Sequence, residues 1–123
     1  DTVFDTNIFL FYEEMDICLR LKKKGYKILA TNWRFRRSEV DIIAKEEAIL
    51  VFIEVKTRSY DYYGKPESFV SKRKKVLMMD AASAYMNKIN HTWEIRFDII
   101  GILMEKNKDV EINHFEDAFF PGI

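Results

Sequence analysis

Charged residues interrupt the two apolar runs within the stretch SEVDIIAKEEAILVFIEVKTRS. Asp41, Glu54 and Lys56 stand there among valines, isoleucines and a phenylalanine. Two carboxylates and an amine suit a metal-assisted hydrolytic site, because hard cations such as Mg²⁺ take carboxylate oxygens as ligands. In such a site the metal acidifies water and neutralises phosphate charge, while a lysine positions the nucleophile or stabilises developing charge. The three residues therefore predict phosphodiester hydrolysis with Mg²⁺, or with Mn²⁺ in its place.

A β-hairpin would bring these charges together. The runs VDIIAK and ILVFIEVKT are rich in β-branched and aromatic residues, and few residues separate them. With a turn centred between Glu47 and Ala48, Asp41 lies opposite Glu54, with the two Cβ atoms roughly 5 Å apart on one face. Lys56 shares that face because strand side chains alternate. Two carboxylates so placed repel by about 3 kcal/mol at an effective dielectric constant of about 20, and a bound cation would relieve this repulsion.

A structural interpretation of the same charges stays open. Lys56 can be the ion-pair partner of Glu54 or Asp41 in a network that holds no metal. An acid followed a dozen residues later by Glu-x-Lys is a weak pattern by itself. It gains weight here because Glu54-Val55-Lys56 is the only acid-x-Lys sequence in the chain, and it falls in the run that most resembles a central strand.

Two predicted helices each direct one charge toward this sheet. The first covers about Asn7 to Lys24, and Glu14 falls in its apolar stripe. The second covers about Ser68 to Asn87, and Lys74 falls in its stripe. The alternative for both residues is an ordinary place on a helix surface. The order helix, strands, helix, strands predicts an α/β sandwich, in which the helical crossover places EIRFDIIGILM parallel to ILVFIEVKT.

Length, charge and cysteine content limit the class of protein. The 123 residues suffice for one domain with its own core, so we expect a single domain over residues 1–123. Lys plus Arg and Asp plus Glu each number 20, which argues against a strong general DNA binder. The one cysteine, Cys18, cannot form an internal disulfide and fits a reducing, cytoplasmic setting. No apolar stretch reaches the roughly 18 residues of a membrane span, so no membrane partner is expected.

Several segments together resemble the YraN family of bacterial proteins, whose endonuclease-like fold is related to Holliday junction resolvases and the wider PD-(D/E)XK nuclease superfamily. The segments are GYKILATNWRFRRSEVDIIAKEEAILVFIEVKTRS, YYGKPESFV, KKVLMMDAASAYM and RFDIIGI. The resemblance runs from about Glu14 to Phe119, which is most of the chain. It implies a restriction endonuclease-like sandwich with a central mixed sheet flanked by helices.

The resemblance also implies roles for individual residues. The superfamily's metal-binding acids fall on Asp41 and Glu54, and its lysine falls on Lys56. The acid on the first helix of the resolvase-like branch falls on Glu14. The backbone carbonyl of Val55 is expected as a further metal ligand.

The chain departs from the family at two places. Ser38 stands where a glycine is common before the Glu-x-Asp motif, and Glu13-Glu14 stands where a Gly-Glu pair is common on the first helix. The first departure affects the turn that enters the strand of Asp41. The second affects the role of Glu14.

Two hypotheses for function follow. The first is a Mg²⁺-dependent endonuclease acting on DNA, branched or damaged, in which Asp41, Glu54 and Lys56 are catalytic and Glu14 and Lys74 are auxiliary. Because junction-processing relatives act as pairs, a homodimer is part of this hypothesis. The alternative is a non-catalytic module that binds nucleic acid or a protein through a nuclease fold.

Overall fold

Five β-strands and two α-helices form the part of the chain that the structure, a computed structural model, describes: residues 6–59, 66–104 and 110–120. In chain order the elements are α1 (Thr6–Lys23), β1 (Lys27–Phe35), β2 (Ser38–Glu46), β3 (Ile49–Ser59), a 3-10 helix (Pro66–Phe69), α2 (Lys72–Ile89), β4 (Ile95–Met104) and β5 (Val110–Phe115). Within the described ranges, neither α-helix is long and apolar enough to cross a membrane.

The strands form one mixed sheet in the order β1-β2-β3-β4-β5. Strands β3 and β4 are parallel, and each other neighbouring pair is antiparallel. Parallel neighbours need a long crossover, which here runs through α2. The predicted α/β sandwich is confirmed, and its mixed sheet is consistent with a restriction endonuclease-like fold.

The β2–β3 hairpin has the register that the sequence predicts. Glu46 pairs with Ile49, so the turn is Glu47-Ala48, and Glu47 takes the left-handed conformation with φ of 53°. The ladder ends at the pair Ile42 and Ile53. One residue beyond this pair, Asp41 and Glu54 lie opposite each other, as the predicted site requires.

Helix α2 begins later than the sequence predicts. The expected start near Ser68 was wrong, because residues Pro66–Phe69 form a separate 3-10 helix. Ser71 is the N-cap, and its hydroxyl accepts a hydrogen bond of 3.1 Å from the backbone N–H of Lys74. At the other end, Asn90 caps the helix in the left-handed conformation. The cap at Ser71 places Lys74 in the first turn of the helix.

Both faces of the sheet carry a hydrophobic core. One core packs against α2 and includes Val40, Phe52, Met78, Tyr85 and Phe97. The other packs against α1 and includes Ile17, Leu21, Ile42, Ile53 and Ile100. Since Phe52 lies on the α2 face and strand side chains alternate, Glu54 and Lys56 continue along that same face.

A charged network on the α1 face links β4 with β2, β5 and Tyr26. Asp98 is completely buried, and its two carboxylate oxygens accept hydrogen bonds from Arg96 at 2.8 and 2.9 Å. They also contact the Nε2 atom of His114 at 2.7 Å and the backbone N–H of Asp117 at 2.9 Å. The same guanidinium donates to Glu46 at 2.9 Å and to the hydroxyl of Tyr26 at 2.7 Å.

These contacts explain how an acid is tolerated inside a strand. Burial by itself would raise the pKa of Asp98, but the hydrogen bonds from His114, Arg96 and the Asp117 amide, together with the charge of Arg96, lower it. The carboxylate is therefore ionised and fully paired.

Replacing Asp98 by asparagine should lower the free energy of unfolding at pH 7 by about 3 kcal/mol, because the largely buried Arg96 would lose one of its two carboxylate partners. Urea unfolding followed by circular dichroism measures this difference. Asp80→Asn is the matched control, since Asp80 is exposed on α2. A loss no larger than that of the control would show that the network contributes little.

Candidate functional site

The carboxyl groups of Asp41 and Glu54 meet just beyond the last paired residues of the β2–β3 hairpin. Their side chains are hydrogen-bonded to each other. The backbone N–H of Val55 donates a hydrogen bond of 2.7 Å to Oδ2 of Asp41. Glu54 is 2% exposed, so this pair is withdrawn from solvent. The predicted meeting of the two acids is thus what the structure shows.

The pair carries a strong electrostatic conflict, which appears in the pKa of Asp41. Burial, the hydrogen bond with Glu54 and the charge of Glu54 raise that pKa to about 7. The Val55 N–H and the charge of Lys74 oppose the rise. Below pH 7 the carboxyl of Asp41 therefore keeps a proton that an ordinary aspartic acid loses. A divalent cation would relieve the same conflict by replacing that proton.

Two lysines lie beside Glu54. The Nζ atoms of Lys56, on the same strand, and of Lys74, on α2, are each 3.5 Å from Oε2 of Glu54. Their side chains are 32% and 28% exposed, against 3% for Glu54. The amines therefore lie between the buried carboxylate and solvent, where a substrate group can reach them.

Lys74 reaches the sheet from the first turn of α2, as its place in the apolar stripe predicts. Its Nζ also donates a hydrogen bond of 3.1 Å to the backbone carbonyl of Glu39 on β2. Lys72 and Arg73 of the same turn are exposed, and that turn contains no acid. A helix N-terminus with cations around it attracts anions, so phosphate is favoured at this end of α2.

The partner of Lys56 on β4 is Gly101, which leaves room for two aromatic rings. A Cβ atom at Gly101 would come within 3.3 Å of the Phe69 ring and 3.4 Å of the Phe115 ring. A cavity of about 120 Å³ there is lined by Gly101, both rings and Arg58, whose guanidinium lies 5.3 Å from the centre of the Phe69 ring. Gly101 was not predicted from the sequence, because the rings of Phe69 and Phe115 come close to it only when β4 is paired with its neighbours.

The structure brings four of the five predicted catalytic residues together: Asp41, Glu54, Lys56 and Lys74. The fifth, Glu14, belongs to α1, but its side chain lies outside the part of the chain that the structure describes.

The donors around Asp41 suit a hard cation. Two carboxylates contribute oxygen, and the Val55 carbonyl points toward β2, because the N–H and C=O of a strand residue point to the same neighbour. Mg²⁺ is commonly held by one or two carboxylates and keeps several waters. Over residues 6–59, 66–104 and 110–120, His, Cys, Asp and Glu side chains form no group of three that could hold a metal. The predicted set of Asp41, Glu54 and the Val55 carbonyl fits Mg²⁺ with water completing the coordination.

Asp41→Asn should stabilise the protein at pH 8, by about 2 kcal/mol after allowance for solvent screening, when divalent ions are removed with a chelator. The folded pKa, about 7, lies above the value of 3.8 for an ordinary aspartic acid. Wild-type stability therefore falls as pH rises between these values, because the folded state alone keeps the proton. Asparagine carries no charge to bury.

Urea unfolding at pH 8 and pH 4 measures this effect, and the gain from Asp41→Asn should nearly vanish at pH 4. Asp80→Asn, at an exposed position, should show no such dependence on pH. An Asp41→Asn variant less stable than wild type at pH 8 would mean that the carboxyl pair carries no strain.

The sequence also has clear relatives. The model of "Uncharacterised protein family UPF0102" matches residues 12–102. A UPF0102 protein of Flavobacterium psychrophilum is 50% identical over 100 residues, which cover 81% of this chain and 83% of the relative. UPF0102 proteins of Parabacteroides distasonis and Thermodesulfovibrio yellowstonii are 43% and 42% identical over 100 residues, covering 81% of this chain and 82% and 85% of theirs.

The family match spans the hairpin with Asp41, Glu54 and Lys56, and also Lys74 of α2. The resemblance drawn from the sequence segments is confirmed by these relatives. The chain belongs to family UPF0102, the YraN family.

Proposed function

We propose that this protein is a divalent-metal-dependent nuclease that hydrolyses phosphodiester bonds of DNA, branched or damaged. The observation that carries the proposal is the hydrogen-bonded pair of Asp41 and Glu54, with two lysine amines each 3.5 Å from Glu54. Mg²⁺ is the proposed cofactor, and Mn²⁺ should replace it. The proposal also rests on the resemblance of the YraN family to nucleases of the PD-(D/E)XK superfamily.

Asp41, Glu54 and the Val55 carbonyl would hold the cation. When bound, it supplies Lewis acidity, which lowers the pKa of water and neutralises charge on the phosphate. The hydrogen bond from the Val55 N–H to Oδ2 fixes the orientation of the Asp41 carboxyl group. Burial of Glu54 excludes bulk water from the pair and strengthens every charge interaction there.

The two lysines serve different purposes in this proposal. Lys56 is partly exposed to solvent, and its ammonium hydrogen-bonds a phosphate oxygen or the attacking water. Lys74 is anchored to the Glu39 carbonyl, so its charge stays beside Glu54 when a substrate arrives. Lys56 is thus the catalytic amine, and Lys74 holds the carboxylate in place.

Charge favours a phosphate-bearing substrate at this site. The exposed cations Lys72 and Arg73 extend the positive potential of the α2 N-terminus beside Lys74. The chain as a whole has equal numbers of acidic and basic residues, 20 of each. Affinity should therefore depend on a local geometry of the nucleic acid, as in a branch or a lesion, rather than on long-range attraction.

One observation favours a second candidate, a non-catalytic module that binds nucleic acid or a protein. Lys56 and Lys74 already flank Glu54, and the proton on Asp41 removes one negative charge. The charge of the cluster is therefore partly compensated without a metal. In that case the same four residues would be a structural network.

Asp41→Ala and Glu54→Ala should each abolish Mg²⁺-dependent DNA cleavage while the protein stays folded. The reason is that each variant removes one of the two carboxylates that hold the cation. Cleavage is measured on junction, flap, single-stranded and duplex DNA, and on RNA, with Mg²⁺ and with Mn²⁺. Asp80→Ala is the matched control and should cleave like wild type, since Asp80 is exposed on α2.

Calorimetric titration of the same proteins with Mn²⁺ separates the two candidates. The nuclease requires one saturable site in wild type that both alanine variants lose. No cleavage of any substrate and no heat of binding in wild type would leave the binding module as the better account.

Lys56→Met should slow cleavage by about 100-fold, the loss expected when one donor to the developing charge is removed. Binding of Mn²⁺ should persist, because the carboxylates are untouched. Lys45→Met is the matched control, since Lys45 is exposed on β2 of the same hairpin. Equal rates for Lys56→Met and wild type would exclude Lys56 from catalysis.

A further inference from the structure

A second cavity lies on the α1 face of the sheet, the opposite face from Glu54. Its volume is about 320 Å³. Its floor consists of apolar side chains from α1, β4 and β5, namely Ile17, Leu21, Ile100 and Ile112. This volume is at the lower end of the range for small-molecule sites. It has room for a compound of one or two rings.

The rim of this cavity is basic. Arg20, Lys23 and Lys24, all at the C-terminal end of α1, line it and are exposed. Arg20 is paired with Asp16 at 3.0 Å, a surface contact that leaves Lys23 and Lys24 as the stronger attraction for an anion. No acid is among the described residues that line the cavity. An apolar floor under a positive rim selects a ligand that is apolar at one end and negatively charged at the other.

His114 adds a polar group to the wall. Its Nε2 atom is 2.7 Å from Oδ2 of Asp98, and its side chain is 7% exposed. Asp98 is held as a carboxylate by Arg96 and the Asp117 amide, so Nε2 faces an acceptor and carries a proton. The Nδ1 atom is buried and has no hydrogen-bond partner in the described part of the chain.

Because Nδ1 is itself buried, it is not open to the cavity. His114 therefore closes one side of the cavity, and the choice of ligand depends on the apolar floor and the basic rim.

We propose that this cavity binds a small organic anion. Its aromatic or aliphatic body lies on the floor, and its acidic group lies at Lys23 and Lys24. The site lies across the sheet from Asp41 and Glu54 and depends on none of the residues assigned to hydrolysis. The proposal is therefore independent of the proposed nuclease activity.

The probe 8-anilinonaphthalene-1-sulfonate tests this site, because it combines two aromatic groups with a sulfonate. Titration of the full chain, followed by fluorescence, should give one saturable site. In ¹H–¹⁵N correlation spectra the shifted amides should cluster around Ile100, Ile112 and His114. Lys23→Glu combined with Lys24→Glu should weaken binding about tenfold, because the sulfonate would then face negative charge.

Two controls assign that loss to the cavity. N-phenyl-1-naphthylamine, which lacks the sulfonate, should bind the double variant and wild type alike. Lys72→Glu combined with Lys88→Glu makes the same change in charge on α2, at exposed positions, and should leave sulfonate binding near the wild-type value. Ile112→Trp, which fills the floor, should prevent binding of both probes while cooperative unfolding is retained.

The proposal is overturned if wild type shows no saturable binding, or if the shifted amides lie away from β4 and β5. It is also overturned if the α2 double variant weakens binding as much as the α1 double variant does. Because the spectra locate the probe on the wild-type protein, they decide the question even if Ile112→Trp fails to fold.

Discussion

The arrangement of this protein depends on two carboxyl groups forced together inside a sheet. The Glu47-Ala48 turn fixes the register of β2 against β3, and that register opposes Asp41 and Glu54 one step beyond the last paired residues. Burial raises the pKa of Asp41 to about 7. A fold selected for stability alone would place apolar side chains at these positions, so the retained conflict is a physical argument for a function there.

The surroundings make this conflict tolerable without removing it. The N–H of Val55 supports Asp41, and two amines flank Glu54 from different elements, one from β3 and one from α2. The N-cap Ser71 fixes where α2 begins and thus which lysine reaches the sheet. By contrast, Asp98 on the other face is fully paired and has a lowered pKa. Asp98 thus holds β4 in place, whereas the repulsion between Asp41 and Glu54 remains.

Much of the site follows from local rules applied to the sequence. The apolar runs define the strands, a tight turn between them defines the opposed residues, and helical spacing directs Lys74 inward. The predicted start of α2 was wrong by several residues. Ser68 and Ser71 are both plausible N-caps, and the separate 3-10 helix over Pro66–Phe69 leaves Ser71 as the cap. The contact of His114 with Asp98 could not be predicted, since it arises from the pairing of β5 with β4.

The central claim is that Asp41 and Glu54 together bind a divalent cation. Crystals of the protein soaked in Mn²⁺, with anomalous scattering collected near the manganese edge, test it most directly. We expect one strong anomalous peak between the two carboxylates and close to the Val55 carbonyl. A map with no peak there, and with Lys56 and Lys74 still paired to Glu54, would contradict it.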